Sequence, residues 1–442
     1  MFFNISKNKI IAVSFLLLAY IFCLVGCGGG KSKKSPGDDH VTITTKGSHY
    51  EVVLNFNNIS HYNMGAEYGR KILQTVPDCV SLLDSYLAEI SRDDATYQVF
   101  MNRTELIKPQ IPQEYRDEID GMASNLSDGA VNGRGDGKLS PTEIYFLNLI
   151  PDVARETQCA AMAIFGNLSA TGKTMVGRVL DWYQGSQNQM AKLQAVMTFK
   201  NGAKSICTIG YLGFMGVLSG FNNDKVFAAI LDSSTGSPYS ASGKRSYPLD
   251  LRYALENCST MDKVANYMTS ASNPYAFSHL IFLANSTNSE VVENNISTPF
   301  RQVRTALSAL NPGIGDFNTT YGSNVFVGCV NSFILNGNTN IHTGEQANTA
   351  RWSKLTSGIL INVIMDPIGY KVTLNDLKNY ISYDGGDGPS LKSDGDLYNK
   401  ELDSETQQII VFEPDTFNLQ VFFHPVGNLP ADPTFESIPV SL

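Results

Sequence analysis

The sequence predicts an α+β fold in which helices and strands occupy separate layers. Between residues 60 and 150, apolar side chains recur at the three- and four-residue spacing of amphipathic helices. From Cys159 onward the pattern changes to short β-type runs separated by Gly, Asn, Asp and Lys. These runs do not alternate regularly with helices, which argues against a doubly wound parallel sheet. The chain is long enough for one large domain or two smaller ones.

The first residues of the sequence indicate the cellular compartment of the protein. Residues 1–27 have the layout of a secretory signal, with lysines, an apolar core and small residues approaching Cys27. The run LVGC that ends at Cys27 resembles a bacterial lipoprotein box, which implies that this cysteine is lipidated and becomes the mature N-terminus. An uncleaved anchor is the alternative, but the apolar run is short for a bilayer span. We therefore expect an exported lipoprotein held to the membrane at Cys27, with residues 28–45 as a flexible tether.

The elements that follow are predicted from periodicity. Alternation predicts a strand over residues 49–56, and β-type runs begin at Cys159. Helical intervals are expected at 64–91, 106–128, 142–150, 249–270 and 351–362. The last β-type run, 409–424, indicates a hairpin with Glu413, Pro414 and Asp415 in the turn. Residues 46–158 are thus predicted to be mainly helical, and residues 159–442 to hold most of the strands.

The GKT at residues 172–174 suggests a phosphate-binding loop, but the spacing excludes it. Five residues separate Gly166 from Gly172, whereas a P-loop has four. The residues that follow are β-branched and apolar, which favours a strand instead of a helix. We expect a polar hairpin loop in which a glycine supplies the positive φ. Cys159, at the start of the first strand of that hairpin, remains to be explained.

Composition argues against several kinds of function. The net charge is −9 and no basic stripe is present, so a nucleic-acid partner is not expected. Zinc is not expected either, because the sequence has neither CxxC pairs nor HExxH. Residues 132–143 have oxygen-bearing side chains at the spacing of a calcium-binding loop, but Arg134 occupies a ligand position. A loop that caps the next helix is the simpler interpretation.

The other cysteines of the body are Cys79, Cys207, Cys258 and Cys329. In an exported protein they could form disulfides or remain buried thiols.

Cys159 is followed by a strand, a turn and the run GRVLDW at residues 177–182. Together these resemble the C…GRNxD pattern of the N-terminal-nucleophile hydrolases related to penicillin acyltransferase, acid ceramidase and the choloylglycine hydrolases, with Val179 where Asn is usual. Further similar pieces are MGAEYGRKI, EIDGMASNL and LSPTEIYFLN upstream, and GVLSGFNNDKVFAAILD, CVNSF with a later RW, and IIVFEPDTFNLQVFF downstream. The resemblance covers nearly all of residues 50–440.

The resemblance implies a four-layer αββα sandwich that cleaves itself between Gln158 and Cys159. The new α-amino group, with an ordinary pKa of about 7.7–8.0, would then be the base for its own thiol. Residues 46–158 would remain associated, as an α chain, with a β chain of residues 159–442. No metal or organic cofactor is implied.

Site residues carry over one by one. Cys159 is implied as the nucleophile, with the Asp181 carboxylate holding the new amine and the Arg178 guanidinium beside the thiol. Asn331 is implied to donate to the oxyanion, and Arg351 to support the site. Asp232 would contribute only a backbone N–H to the oxyanion. As alternatives, Cys159 could be a buried small hydrophobe and Asn331 a turn residue.

The implied substrate is a small-molecule N-acyl amide, cleaved at a linear carbon–nitrogen bond through a thioester on Cys159. Fatty-acyl conjugates, bile-acid conjugates and side-chain acylated lactams belong to this class. Three alternatives stay open: transfer of the acyl group to an amine, hydrolysis of an ester, and an exported binding protein that is never processed.

Overall fold

The structure, a computed structural model, describes most of the chain from His40 onward. The described ranges are 40–129, 131–154, 157–233, 239–296, 300–339, 346–366, 369–385, 394–400 and 405–442. The expected signal and the lipidated Cys27 lie outside them. In these ranges we find no helix that combines the length and the apolarity needed to cross a bilayer.

Helices occupy most of the first segment and recur in two later groups. The first five are α1 (His61–Thr75), α2 (Cys79–Ile90), α3 (Asp94–Ile107), α4 (Gln113–Leu126) and α5 (Pro141–Val153). The later ones are α6 (Tyr247–Asn257), α7 (Met261–Thr269), α8 (Phe317–Tyr321), α9 (Gln346–Met365) and α10 (Leu374–Ile381). The helix expected over 64–91 is two helices, because Pro77 cannot continue the ladder of backbone hydrogen bonds. α3, α8 and α10 were not predicted from the sequence.

The strands form two sheets. Sheet A has the order β1-β2-β5-β6-β7-β8-β9-β10-β11, and sheet B the order β12-β3-β4-β13-β14-β15. The strands up to β8 are β1 (Val41–Thr45), β2 (Tyr50–Asn55), β3 (Thr157–Ile164), β4 (Met175–Trp182), β5 (Gln194–Asn201), β6 (Lys204–Tyr211), β7 (Ser219–Asn222) and β8 (Phe227–Asp232). The rest are β9 (His279–Ala284), β10 (Ser289–Asn295), β11 (Phe300–Thr305), β12 (Phe326–Val330), β13 (Glu405–Glu413), β14 (Asn418–Phe423) and β15 (Glu436–Ile438).

The two sheets pack face to face between outer helices, which confirms the αββα sandwich. β3 contacts β8 and β10 contacts β12 across the interior, while α9 and α10 cover sheet B and α6 and α7 cover sheet A. Residues of β3 therefore alternate between two cores. Cys159 and Ala161 face sheet A, whereas Ala160 and Met162 face the outer helices. A strand that is buried on both faces explains why this stretch is continuously apolar.

The hairpin around the GKT forms as expected. β3 pairs with β4 in antiparallel register, with Cys159 opposite Leu180. Gly172 in the connection has φ of 71°, the left-handed conformation that glycine adopts without strain. The strand β2 and the closing hairpin β13–β14 were also correctly predicted, except that Glu413 is the last residue of β13, paired with Asn418, and not part of the turn.

The first segment also contains strands. β1 lies inside the range that was expected to be a tether, and β2 pairs in parallel with β5. β1 is easily missed, because only Val41 of its five residues is buried and the others are polar or partly exposed. Strands of the first segment thus form one edge of sheet A, so this segment is part of the sandwich.

The loop at 132–140 is organised by protein groups. Gly135 and Gly137 donate backbone N–H bonds to the Asp84 carboxylate at 3.2 and 2.7 Å. Ser140 then caps α5 and forms a capping box with Glu143. This agrees with the simpler interpretation, a loop that caps the following helix.

Helices α1 and α4 cross at glycines. A Cβ atom on Gly65 would lie 1.9 Å from the Glu118 carbonyl oxygen, and one on Gly121 would lie 2.0 Å from the Tyr62 carbonyl oxygen. Real Cβ atoms never come so close to backbone, so the two helices can approach only without side chains at these positions. The glycines of the MGAEYG and EIDG motifs therefore have a packing role.

We predict that Gly65→Ala lowers the free energy of unfolding by about 1–3 kcal/mol or more, because the helices must separate to accept the methyl group. Gly47→Ala is the matched control, since a Cβ there meets no atom within 4 Å. Urea unfolding of both variants gives the comparison. Equal midpoints for the two variants would contradict the close crossing.

Candidate active site

Cys159 lies near the start of β3, at the interface of the two sheets. Its side chain is 0% exposed and belongs to the core that contains residues of both sheets. Gln158 pairs with Asp181 and Cys159 with Leu180, so the Gln158–Cys159 bond lies beside the end of β4. In the intact chain the thiol is therefore sealed from solvent.

Arg178 contacts the thiol directly. Its Nη2 donates to Cys159 Sγ at 3.3 Å and to the Ile230 carbonyl at 3.0 Å, and Nη1 donates to the Val179 carbonyl. Since Ile230 belongs to β8, the guanidinium links the two sheets while it binds the sulfur. Val179 faces the outer helices, so the replacement of the usual Asn lies on the opposite face of the strand from the thiol.

Several groups act on the pKa of Cys159. Burial is the largest effect and raises this pKa, while the charge of Arg178 opposes it. The charge of Asp181 raises the pKa, and hydrogen bonds from Arg178 and from the Asp181 backbone lower it. The net effect is a raised pKa, so the thiol of the intact chain stays protonated near neutral pH and needs a base.

Asn331 joins three parts of the site. Its Oδ1 accepts the backbone N–H of Cys159 at 2.7 Å and Nη2 of Arg351 at 3.0 Å. Its Nδ2 donates to the Asp232 carbonyl at 2.7 Å. Asn331 directly follows β12 of sheet B, and Asp232 is the last residue of β8 in sheet A. The Asn331 side chain therefore connects Cys159, on β3 of sheet B, with the end of β8 in sheet A.

Arg351 holds the other side of the Cys159 residue. From α9, it donates through Nη1 to the Cys159 carbonyl at 3.0 Å and through Nη2 to Asn348 Oδ1. Asn348 also donates to the Asn331 carbonyl at 3.2 Å. Thus both the N–H and the C=O of Cys159 are bound by side chains far away in sequence.

Asp181 and Asp232 lie in the same region. Asp181 is 1% exposed, and its Oδ1 accepts a hydrogen bond from Thr406 Oγ1 at 2.7 Å. Asp232 contacts Asn331 through its carbonyl, and its side chain accepts the Ser233 N–H at 2.7 Å. The backbone N–H role implied for Asp232 stays a prediction.

The residues named from the sequence thus lie together around Cys159. Arg178 binds its thiol, and Asn331 and Arg351 bind its backbone. Asp232 contacts Asn331, and Asp181 lies opposite Gln158 on β4. Sequence reasoning missed Thr406 and Asn348. Asn348 lies three residues before Arg351 on one helix, a spacing that puts both on one face and could have signalled it. Thr406 had no such signal, because its place depends on strand pairing. Cys79, Cys207 and Cys329 are buried free thiols, as is Cys159, and Cys258 is a partly exposed free thiol, so none of them forms a disulfide.

Comparison with known proteins gives structural similarities only. No known family profile matches the sequence, and no curated protein does. Among solved structures, the chain is similar to an N-acylethanolamine-hydrolyzing acid amidase ortholog of Caenorhabditis elegans, with 14% identity, TM-score 0.40 and coverage of 60% of this chain and 100% of that one. It is also similar to a mutant conjugated bile acid hydrolase of Clostridium perfringens (12%, 0.39, 64% and 97%) and to penicillin V acylase of Agrobacterium tumefaciens (10%, 0.37, 63% and 86%). At such identities and TM-scores, the chemistry of this chain has to be argued from its own contacts.

The loop that follows β4 is fastened by the first segment. Glu89 of α2 accepts bonds from Tyr183 Oη, Ser186 N and Ser186 Oγ at 2.7 Å each, and from Gln189 Nε2 at 2.8 Å. Burial raises the pKa of Glu89, but these hydrogen bonds together hold it below its usual value. One carboxylate thus fixes the loop that begins just beyond Asp181 and Trp182.

We predict that Glu89→Gln lowers the free energy of unfolding by about 1 kcal/mol at pH 7, a value discounted because the side chain is partly exposed. A carboxyl with a lowered folded pKa stabilises above its unfolded pKa, so the difference from wild type should shrink as the pH falls below about 4.5. Thermal unfolding between pH 3 and 7 measures it. Glu105→Gln, at an exposed position with one side-chain hydrogen bond, is the control. A difference that does not change with pH would contradict the assignment.

Proposed function

We propose that this protein is a self-processing cysteine hydrolase that cleaves a linear N-acyl amide through a thioester on Cys159. The proposal rests on two hydrogen bonds that hold Cys159. Its backbone nitrogen, which would become the α-amine, is bound by Asn331 at 2.7 Å, and its thiol is bound by Arg178 at 3.3 Å. These two contacts support the proposed roles of the Cys159 thiol as nucleophile, of its nitrogen as the later base and of Arg178 as the neighbouring cation.

Self-cleavage would proceed by acyl transfer within the chain. Cys159 Sγ attacks the carbonyl carbon of Gln158, its proton passes to the departing amide nitrogen, and the bond to that nitrogen breaks. Water then hydrolyses the resulting thioester. The products are a carboxylate on Gln158 and a free α-amine and thiol on Cys159.

Turnover would use the same atoms on an external amide. The α-amine takes the thiol proton, and the thiolate attacks the substrate carbonyl to give a tetrahedral oxyanion. Asn331 Nδ2 and the Asp232 N–H are the proposed oxyanion donors. This role requires Asn331 to exchange its bond to the Asp232 carbonyl for one to the oxyanion. The amine then protonates the leaving group, and it later activates the water that hydrolyses the thioester.

The substrate class rests on the sequence resemblance, which implies an N-acyl amide such as a fatty-acyl or bile-acid conjugate or an acylated lactam. Hydrolysis is the main proposal and transfer of the acyl group to an amine the alternative. Export and anchoring through lipid on Cys27 are part of the same proposal.

The two fragments would stay together after cleavage. β2 would still pair with β5, since that ladder does not involve the cleaved bond. The buried Arg252 of α6 binds Glu118 of α4, and Asp152 accepts bonds from Ser246 Oγ at 2.6 Å and from Tyr247 N at 3.1 Å. These contacts cross from the first segment to the second and are buried.

We predict that the purified mature protein has the masses of two fragments divided between Gln158 and Cys159, eluting together in gel filtration, and that Cys159→Ala stays whole. Cys329→Ala is the matched control. Cys329 is a buried thiol opposite Ala161 on the neighbouring strand, so its loss should leave cleavage intact. If wild type and Cys159→Ala both stay whole, the binding-protein alternative replaces the proposal.

A second prediction separates amide from ester hydrolysis. Matched N-acyl amides and esters with the same acyl chain are compared by kcat/KM. We expect the amide to be turned over and an acyl adduct to appear by mass on the fragment that begins with Cys159. Turnover of the ester alone would favour the esterase alternative, and acyl-amine products with added amine would favour the transferase.

A further inference from the structure

Thr406 occupies an unusual position beside the site. It lies near the start of β13, directly opposite Asp181 of β4, and the register of the two strands shifts between Thr406 and Gln408. Such a bulge re-aims side chains locally, and bulges are common next to active sites. Here the shift keeps Thr406 opposite Asp181 while Gln408 pairs with Leu180.

The hydroxyl of Thr406 has both of its partners defined. Oγ1 accepts the backbone N–H of Asn399 at 2.8 Å and donates to Asp181 Oδ1 at 2.7 Å. The Thr406 N–H in turn donates to the Asn399 carbonyl at 2.9 Å. A hydroxyl that accepts one bond has its proton directed elsewhere and becomes a better donor. Both Thr406 and Asn399 are fully buried, so water does not compete for these bonds.

We infer that Thr406 is a positioning residue that binds one oxygen of the Asp181 carboxylate and so sets the orientation in which this carboxylate would hold the α-amine of Cys159. This inference rests on the proposed function, in which Asp181 holds that amine. The hydrogen bonds run from the Asn399 N–H to the Thr406 hydroxyl, and from that hydroxyl to the Asp181 carboxylate. The first donor is a backbone group, which cannot rotate away as a side chain can. A carboxylate fixed at one oxygen keeps its orientation when the peptide bond beside it is cut.

The test compares Thr406→Val, which replaces the hydroxyl with a methyl of similar size, with Thr406→Ser, which keeps the hydroxyl. In the processed enzyme we expect Val to lower kcat by about 10- to 100-fold, the order of effect of a misplaced catalytic group, with KM nearly unchanged. Ser should recover most of kcat. Thr208→Val is the control, because Thr208 is also buried but its hydroxyl has no hydrogen-bond partner among the described residues.

A role in general packing predicts a different result. It would lower thermal stability in Val and Ser variants without the split between kcat and KM, and either that pattern or unchanged kcat in Thr406→Val would overturn the inference.

Crystal structures of Cys159→Ala with and without Thr406→Val test the same inference without any turnover. We expect the Asp181 carboxylate to rotate away from its place when the hydroxyl is lost. A carboxylate that stays in place overturns the positioning role even if the wild type hydrolyses amides. If the wild type shows neither cleavage nor turnover, the proposed function is wrong. The two crystal structures would still show whether Thr406 positions the Asp181 carboxylate.

Discussion

The hydrogen bonds of Asn331 are the constraint on which the site depends. This one amide binds the Cys159 N–H, the Asp232 carbonyl and Arg351, and so connects β3 in sheet B with the end of β8 in sheet A. Together with the hydrogen bond from Arg178 to the Ile230 carbonyl of β8, it holds the two sheets in position relative to each other beside the thiol. The thiol, the guanidinium and the carbonyl groups between the sheets are held in place by this connection.

A second constraint is the buried charge of Arg178. Transfer of a guanidinium into the interior is costly unless hydrogen bonds compensate it. Here two carbonyl oxygens and the Cys159 sulfur accept its N–H groups. The cation is thus held by neutral groups in the intact chain, and formation of a thiolate would give it an opposite charge at 3.3 Å. The charge of Arg178 therefore lowers the pKa of the Cys159 thiol, against the larger effect of burial, which raises it.

The first segment has a structural role in the sandwich. Its strands extend sheet A, its glycine-crossed helices α1 and α4 pack together, and Glu89 fastens the loop beyond β4. A segment with these contacts cannot leave without exposing a sheet edge and buried ion pairs. The first segment, which the sequence resemblance implies to be an α chain, is therefore part of the sandwich.

The sequence by itself determined the α+β class, the β3–β4 hairpin and the closing hairpin, because each depends on local periodicity or short spacing. Cys159, Arg178 and Asp181 were assigned to one site by the family resemblance. Asn331 and Arg351 came only from the resemblance, and the tertiary structure alone shows that they bind the same residue. The tertiary structure also revealed that residues 41–45 form β1, whose mostly polar sequence fits a strand at the edge of a sheet. It likewise revealed the contact between Thr406 and Asp181, which are 225 residues apart. The sequence of a strand does not indicate which distant strand it pairs with. For this physical reason, only the folded chain could show these contacts.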